Sequence, residues 1–148
     1  MPAAGLTKEG YIQTILDAIA EHEREQLDKP EPKLRTKLIL SVDRRNTLEQ
    51  AYEVLSLATR FLGKGVVGID LCGDPAAGSI SSLSAFTPVF QKARTLGLGV
   101  TVHFAEAECS GTDAELQLLL SWQPDRLGHV ICVSDTMKQE IKKREDLG

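Results

Sequence analysis

The chain has no paired cysteines. Its three, Cys72, Cys109 and Cys132, are odd in number, widely scattered and form no Cys-x-x-Cys pair. That excludes a disulfide framework and a cysteine-built metal site, and it points to a reducing compartment, the cytoplasm. There is no basic excess either: 17 Lys and Arg stand against 21 Asp and Glu, a net charge of −4, so no nucleic-acid surface is expected. No apolar run reaches the length of a membrane span. Residues Met1 to Leu6 lack the basic and apolar regions of a signal peptide. The chain is read as lacking a phosphate-cradling glycine loop such as GxGxxG, which argues against a complete small α/β binding domain of flavodoxin-like fold. What is present, 148 residues of which 42% are hydrophobic, suffices for one domain with a core.

Hydrophobic spacing predicts a repeating βα pattern. Thr7 can cap a first helix with Tyr11, Ile12, Ile15, Leu16 and Ile19 on its apolar face, stopped by Pro30 and Pro32. Leu38 to Val42 reads as a strand ending at Asp43. Asn46 and Glu49 resemble a capping box for a helix facing inward with Leu48, Ala51, Leu55, Ala58 and Leu62, and Gly63 suits its C-cap. Val66 to Leu71 is a second strand, followed by a Gly-Asp-Pro loop and a helix from about Ser84 whose inward side is Phe86, Val89, Phe90, Ala93 and Leu96. Pro88 falls in its first turn, where proline is least disruptive. Leu98 to His103 is a third strand. Thr112 and Glu115 form another capping box, Pro124 ends the helix that follows, and Arg126 to about Val133 is a fourth strand. Trp122 reads as core packing, His22 as a surface side chain, and Lys138 to Asp146 as a mixed-charge helix or frayed tail. Strands starting near Lys37, Val66, Leu98 and Asp125 recur about every thirty residues, the length of a parallel strand plus its crossover helix.

Histidine is scarce, and its placement is informative. Two of the three, His103 and His129, stand at predicted strand ends, and Glu106 follows His103 by three residues. A neutral imidazole can ligate a metal or steer a water, and a nearby carboxyl group can move a proton. Asp43, the Asp70 to Asp74 loop, His103 with Glu106, and His129 all lie at C-terminal strand ends. That is the edge where parallel α/β folds place their sites. Bland readings stand beside this one. His103 reads alternatively as a hydrogen-bonded strand-end histidine, and His129 as structural. Gly73 fits any tight turn, Asp70 can simply pair with a neighbour, Asp43-Arg44-Arg45 reads equally as an exposed loop, and Cys72 as a small buried residue.

Three motifs carry a resemblance to the adenosine deaminase family of zinc-dependent (β/α)8 barrels. Val67-Gly68-Ile69-Asp70-Leu71-Cys72-Gly73-Asp74 resembles its glycine loop, His103-Phe104-Ala105-Glu106 its His-Ala-Gly-Glu motif, and Arg126-Leu127-Gly128-His129 its Arg-hydrophobic-Gly-His motif. Ser41-Val42-Asp43-Arg44-Arg45 is similar to the adenosine deaminase-like branch, which acts on N6-methylated or otherwise N6-substituted AMP. The resemblance covers residues 6 to 130 and implies an α/β fold: a partial TIM barrel of about four βα units with a leading helix. Residues 1–133 would be the central part of the barrel and 134–148 a divergent charged tail.

The implied reaction is hydrolytic deamination, N6-methyl-AMP to IMP, or deamination of adenosine. A zinc-activated water would attack C6 of the purine. By resemblance, His103 would ligate the zinc ion, Glu106 would protonate the ring nitrogen N1, and His129 would orient the water. Gly73 would bring its N–H to the purine, and Asp43 would face the sugar or phosphate. Arg44 or Arg45 would suit a 5′-phosphate by charge. The family's His-x-His zinc ligands and its late Asp-Asp pair have no counterpart here, and Val130 stands where the motif has glycine. The chain is therefore expected to be truncated at both ends, to bind zinc poorly and to turn over little alone. The alternative is a catalytically inactive fragment that serves only as a binding module. Open edges on a half-barrel would favour self-association.

Overall fold

The computed structural model describes residues 7–27, 30, 33–144 and 147. Residues 1–6, Pro32 and the 145–146 end of the expected tail lie outside the described residues. The chain opens on helix α1 (Lys8–Glu25). Four βα steps follow: β1 (Leu38–Asp43), α2 (Leu48–Arg60), β2 (Val66–Cys72), the paired helices α3 (Ile80–Ser84) and α4 (Thr87–Thr95), β3 (Gly99–Phe104), α5 (Asp113–Ser121), β4 (Arg126–His129) and α6 (Asp135–Lys142).

The four strands form one parallel sheet in the order β1-β2-β3-β4. Each crossover helix returns the chain to the adjacent position, without the reversal of strand order that defines a doubly wound sheet. Sequential order is what an arc of a (β/α)8 barrel requires, and it removes the flavodoxin-like alternative. The spacing Gly63-x-Gly65-x-x-Gly68 of a dinucleotide loop does occur, but it leads into β2 rather than out of a strand. Gly65 is needed there for another reason: at φ +128°, an added Cβ would sit 2.5 Å from the Leu16 side chain.

The core lies between the sheet and its helices. Val42, Ile69, Leu71, Val100, Val102 and Phe104 are buried from the sheet, and Leu55, Phe90, Leu116 and Leu119 from the helices. Each such side chain contributes roughly 1.5–3 kcal/mol by leaving water. Trp122 is fully buried, stacks on Phe90 with ring centroids 4.4 Å apart, and donates its indole N–H to Thr87 Oγ1 at 2.9 Å. That hydrogen bond satisfies the polar end of a ring that would otherwise be costly to bury. Met137 of α6 is fully buried in the same cluster, and Ile141 packs against it. The mixed-charge segment thus forms a helix with an apolar side.

Several local expectations are corrected. Tyr11 is 58% exposed rather than inward, while Ile12 and Leu16 carry the packing of α1. The box that caps α2 is Thr47 with Gln50, one residue later than Asn46 with Glu49, because the Asn46 side chain is spent accepting the Asp43 N–H. Phe61, not Gly63, caps the end of α2. The helix expected from Ser84 is two helices, with Pro88 in the first turn of the second. Thr112 caps α5, but the Glu115 carboxylate does not complete a box, since it is held by Arg44. The fourth strand stops at His129 instead of Val133. His129 and Val130 take φ of +65° and +58°, which extended strand cannot accommodate.

Candidate functional site

The exits of β3 and β4 bring three polar side chains to one rim. His103 on β3 and His129 at the end of β4 lie with ring centroids 5.1 Å apart and planes tilted by 56°. His129 Nε2 is 3.7 Å from Glu106 Oε2. All three side chains are about one-third exposed, so the cluster opens to solvent rather than lying in the core. Register alone would part them: Phe104, not His103, is the partner of His129, and neighbouring strand residues face opposite ways. The left-handed φ of +65° at His129 breaks that alternation at the end of β4, where the two rings meet.

A fourth group joins them. Asp70, only 6% exposed, places its carboxylate 3.2 Å from His103 Nδ1. When Asp70 is ionised its carboxylate only accepts, and the hydrogen bond then puts the imidazole proton on Nδ1 and leaves Nε2 as the free lone pair. Burial pushes the Asp70 carboxyl up from its ordinary range, while His103 and then His129 pull it down. Sequence reading left Asp70 as a residue that could pair with any neighbour. The signal was available in the period of two: Asp70 pairs with Thr101, and His103 lies two residues further along the same face of β3.

Asp43 and Gly73 form a second group at the exits of β1 and β2. Gly73 has φ +104°, and an added Cβ would lie 2.6 Å from Asp43 Oδ1. Only glycine permits this approach. The Asp43 carboxylate accepts two side-chain hydrogen bonds from Arg45, at 2.8 and 2.6 Å, and one from the Arg45 backbone N–H. These bonds hold its pKa down to about 2. Beside it, burial pushes the Cys72 thiol up, making it a poor nucleophile.

The two arginines separate sharply. Arg44 turns inward and pairs with Glu115, the two side chains being 2% and 7% exposed. It is therefore withdrawn from solvent, and of the two only Arg45 remains placed to meet a phosphate. Arg45 is exposed and occupied by Asp43.

Among the described residues, no three His, Cys, Asp or Glu side chains converge to hold a metal ion. His103 Nδ1 is already engaged by Asp70, which leaves one imidazole nitrogen there for a metal. A catalytic zinc normally takes three protein ligands. The described residues do not fit a complete zinc centre. No helix among them is long and apolar enough to cross a membrane.

Comparison with known proteins places the chain in a family. The adenosine deaminase family model matches residues 1–142. The chain is 39% identical over 128 residues to N6-Methyl-AMP deaminase of Danio rerio, covering 84% of this chain and 34% of that protein. It is 37% identical over 110 residues to N6-mAMP deaminase of Arabidopsis thaliana, covering 74% and 29%. Among solved structures, arabidopsis ADAL complexed with IMP superposes with a TM-score of 0.80 at 32% identity, over 94% of this chain and 39% of that one. The chain thus spans about a third of the length of the curated relatives it matches. With a family match over residues 1–142 and relatives at 37% and 39% identity, the chain belongs to the adenosine deaminase family.

Proposed function

We propose that this chain supplies the purine-facing and proton-handling rim of a deaminase for N6-substituted purine nucleotides, with conversion of N6-methyl-AMP and water to IMP and methylamine as the leading reaction. The observation that carries this is the convergence of Glu106, His129 and His103 at the exits of two adjacent parallel strands. In this reading Glu106 protonates N1 of the purine, which makes C6 electrophilic. His129 orients the attacking water. The Gly73 N–H meets the purine edge, where the missing side chain permits close approach. Asp43, beside Gly73, faces the sugar or phosphate. Support for the nucleotide class comes from the relatives named as N6-methyl-AMP deaminases and from the neighbour that binds IMP.

We further propose that the whole enzyme depends on zinc, with His103 the ligand contributed from this stretch, and that it works in the cytoplasm, where its three free thiols would stay reduced. The lack of a three-ligand cluster among the described residues favours a second reading for this stretch alone: nucleotide binding without turnover. The outer edges of β1 and β4 have no strand neighbour among the described residues, and we propose that they drive self-association.

The test is titration of the purified chain with IMP and with N6-methyl-AMP, followed by NMR, together with release of methylamine and zinc analysis. Expected are shifts at the Gly73 amide and the His129 ring, substoichiometric zinc and little turnover. No shift at the rim with either nucleotide at saturation would overturn the proposal. One tightly held zinc per chain would overturn the metal reading.

A further inference from the structure

Among the described residues, four that are not glycine adopt the left-handed backbone: Ala105 (φ +50°), Gln123 (+54°), His129 (+65°) and Val130 (+58°). Three of the four stand at the exits of β3 and β4, beside Glu106 and around His129. The conformation is unfavourable for an L-residue, and it persists only where surrounding contacts hold it.

The contacts that hold these residues are specific. The Phe104 carbonyl accepts the Val130 N–H at 2.9 Å. The Ala105 carbonyl accepts two donors, Ile131 N–H at 3.1 Å and Cys132 N–H at 2.8 Å. The β3–β4 ladder itself ends at the pairing of Phe104 with His129. Beyond it, the turn at Ala105 rolls one carbonyl over two successive amides of the other loop, using both of its lone pairs. A second contact presses the same loops together: Gly111 lies so close to Cys132 that an added Cβ would strike the Cys132 carbonyl.

We infer that the Ala105 turn is a backbone clasp between the two loops, and that it sets the separation of Glu106 from His129, making Ala105 a positioning residue. Glu106 directly follows Ala105, and His129 directly precedes Val130, whose N–H is bonded to Phe104. Fixing the two backbones therefore fixes where both side chains start. Core packing does not hold the two side chains themselves, since Glu106 and His129 are each 35% exposed. The Ala105 methyl is fully buried, so alanine adds packing that glycine would not. The inference rests on the reading of Glu106 and His129 as a working pair, but its test needs no turnover.

The test is amide hydrogen exchange and imidazole NMR on the chain. Ile131 is 67% exposed, so protection of its amide would come from the clasp rather than from burial. Expected is exchange at Ile131 and Cys132 slowed about 100-fold against an unstructured chain. The Glu106→Gln substitution should shift the His129 ring signals. Ala105→Gly, which readily adopts the left-handed region, should keep both features. Ala105→Val, whose branched side chain resists it, should lose them while Ile69 and Leu71 stay protected. Unprotected Ile131 and Cys132 amides in the unaltered chain would overturn the inference. So would a folded Ala105→Val that keeps both features, or a folded Ala105→Gly that loses them. If Ala105→Val does not fold, the first and last of these results still decide. An intact clasp without nucleotide binding would count against the deaminase reading alone.

Discussion

The Asp70 carboxylate meets the Nδ1 of His103 across two adjacent strands, both of its oxygens within 3.2 Å. A buried carboxylate aimed at one ring nitrogen selects one tautomer, and so determines which nitrogen faces the open rim. The rim is therefore oriented from beneath by a residue that does not itself reach the solvent-exposed side.

That relationship predicts the protonation pattern of His103. Nitrogen-15 spectra at pH 8 should place the proton on Nδ1. In Asp70→Ala the ring should move toward the opposite tautomer, which free imidazole prefers. A His103 ring that already carries its proton on Nε2 in the unaltered chain would contradict the hydrogen-bond direction.

The Arg44–Glu115 pair ties the β1 exit to α5 through two almost fully buried side chains, and Arg44 Nη1 finds no hydrogen-bond partner among the described residues. Removing one member strands the other charge in the interior. Glu115→Leu should cost about 3–5 kcal/mol in urea unfolding, whereas the double change Arg44→Met with Glu115→Leu should lie within about 1 kcal/mol of the original. Equal losses in the single and double variants would show that the pair is not the source of the cost.

Asp43 predicts a pH dependence. Its folded pKa, about 2, lies below the ordinary value of 3.8. A depressed carboxyl stabilises the fold above its unfolded pKa, and the contribution is lost as pH falls from about 4 through 2. Because Arg45 is solvent-exposed, screening limits the effect to no more than about 1 kcal/mol. Asp43→Asn should be slightly less stable than the parent at pH 7, and the difference should shrink as pH falls from about 4 and vanish only below about 2.

Val130 is a β-branched residue at φ +58°, 39% exposed. Relief of roughly 1–2 kcal/mol of strain should outweigh the entropy that glycine adds to the unfolded chain, roughly 0.5–1 kcal/mol. Val130→Gly should therefore raise stability by about 0.5–1 kcal/mol in thermal or denaturant unfolding. A destabilised variant would mean that the valine side chain contributes packing beyond what its exposure suggests.

Much of this molecule was legible along the chain. The apolar runs around Leu40, Ile69 and Val100 announced parallel strands, but burial on both faces did not follow: Val42, Ile69 and Val100 are fully buried while Ile39 and Val67 are exposed. His103 with Glu106, and His129 after Gly128, were readable as strand-end groups. Less legible were features decided by a single residue's bonding. Asn46 looked like a cap until its amide proved to be spent on Asp43. Glu115 looked like half of a capping box, but a buried guanidinium outcompetes an exposed amide for its charge. The fourth strand ran four residues too far on paper, because Val130, Ile131 and Val133 have strand-like side chains while the clasp at Ala105 bends the backbone away.

The periodic pattern of the chain by itself determined the α/β class, the four βα steps and the residues at the strand exits, since hydrophobic spacing is a local property that each segment carries alone. Tertiary structure alone decided that Asp70 sits under His103, that Arg44 turns inward while Arg45 turns out, and that two left-handed loops are clasped together. Those outcomes depend on register between strands far apart in sequence, and on which of several donors reaches a shared acceptor first, and neither is written in any one segment.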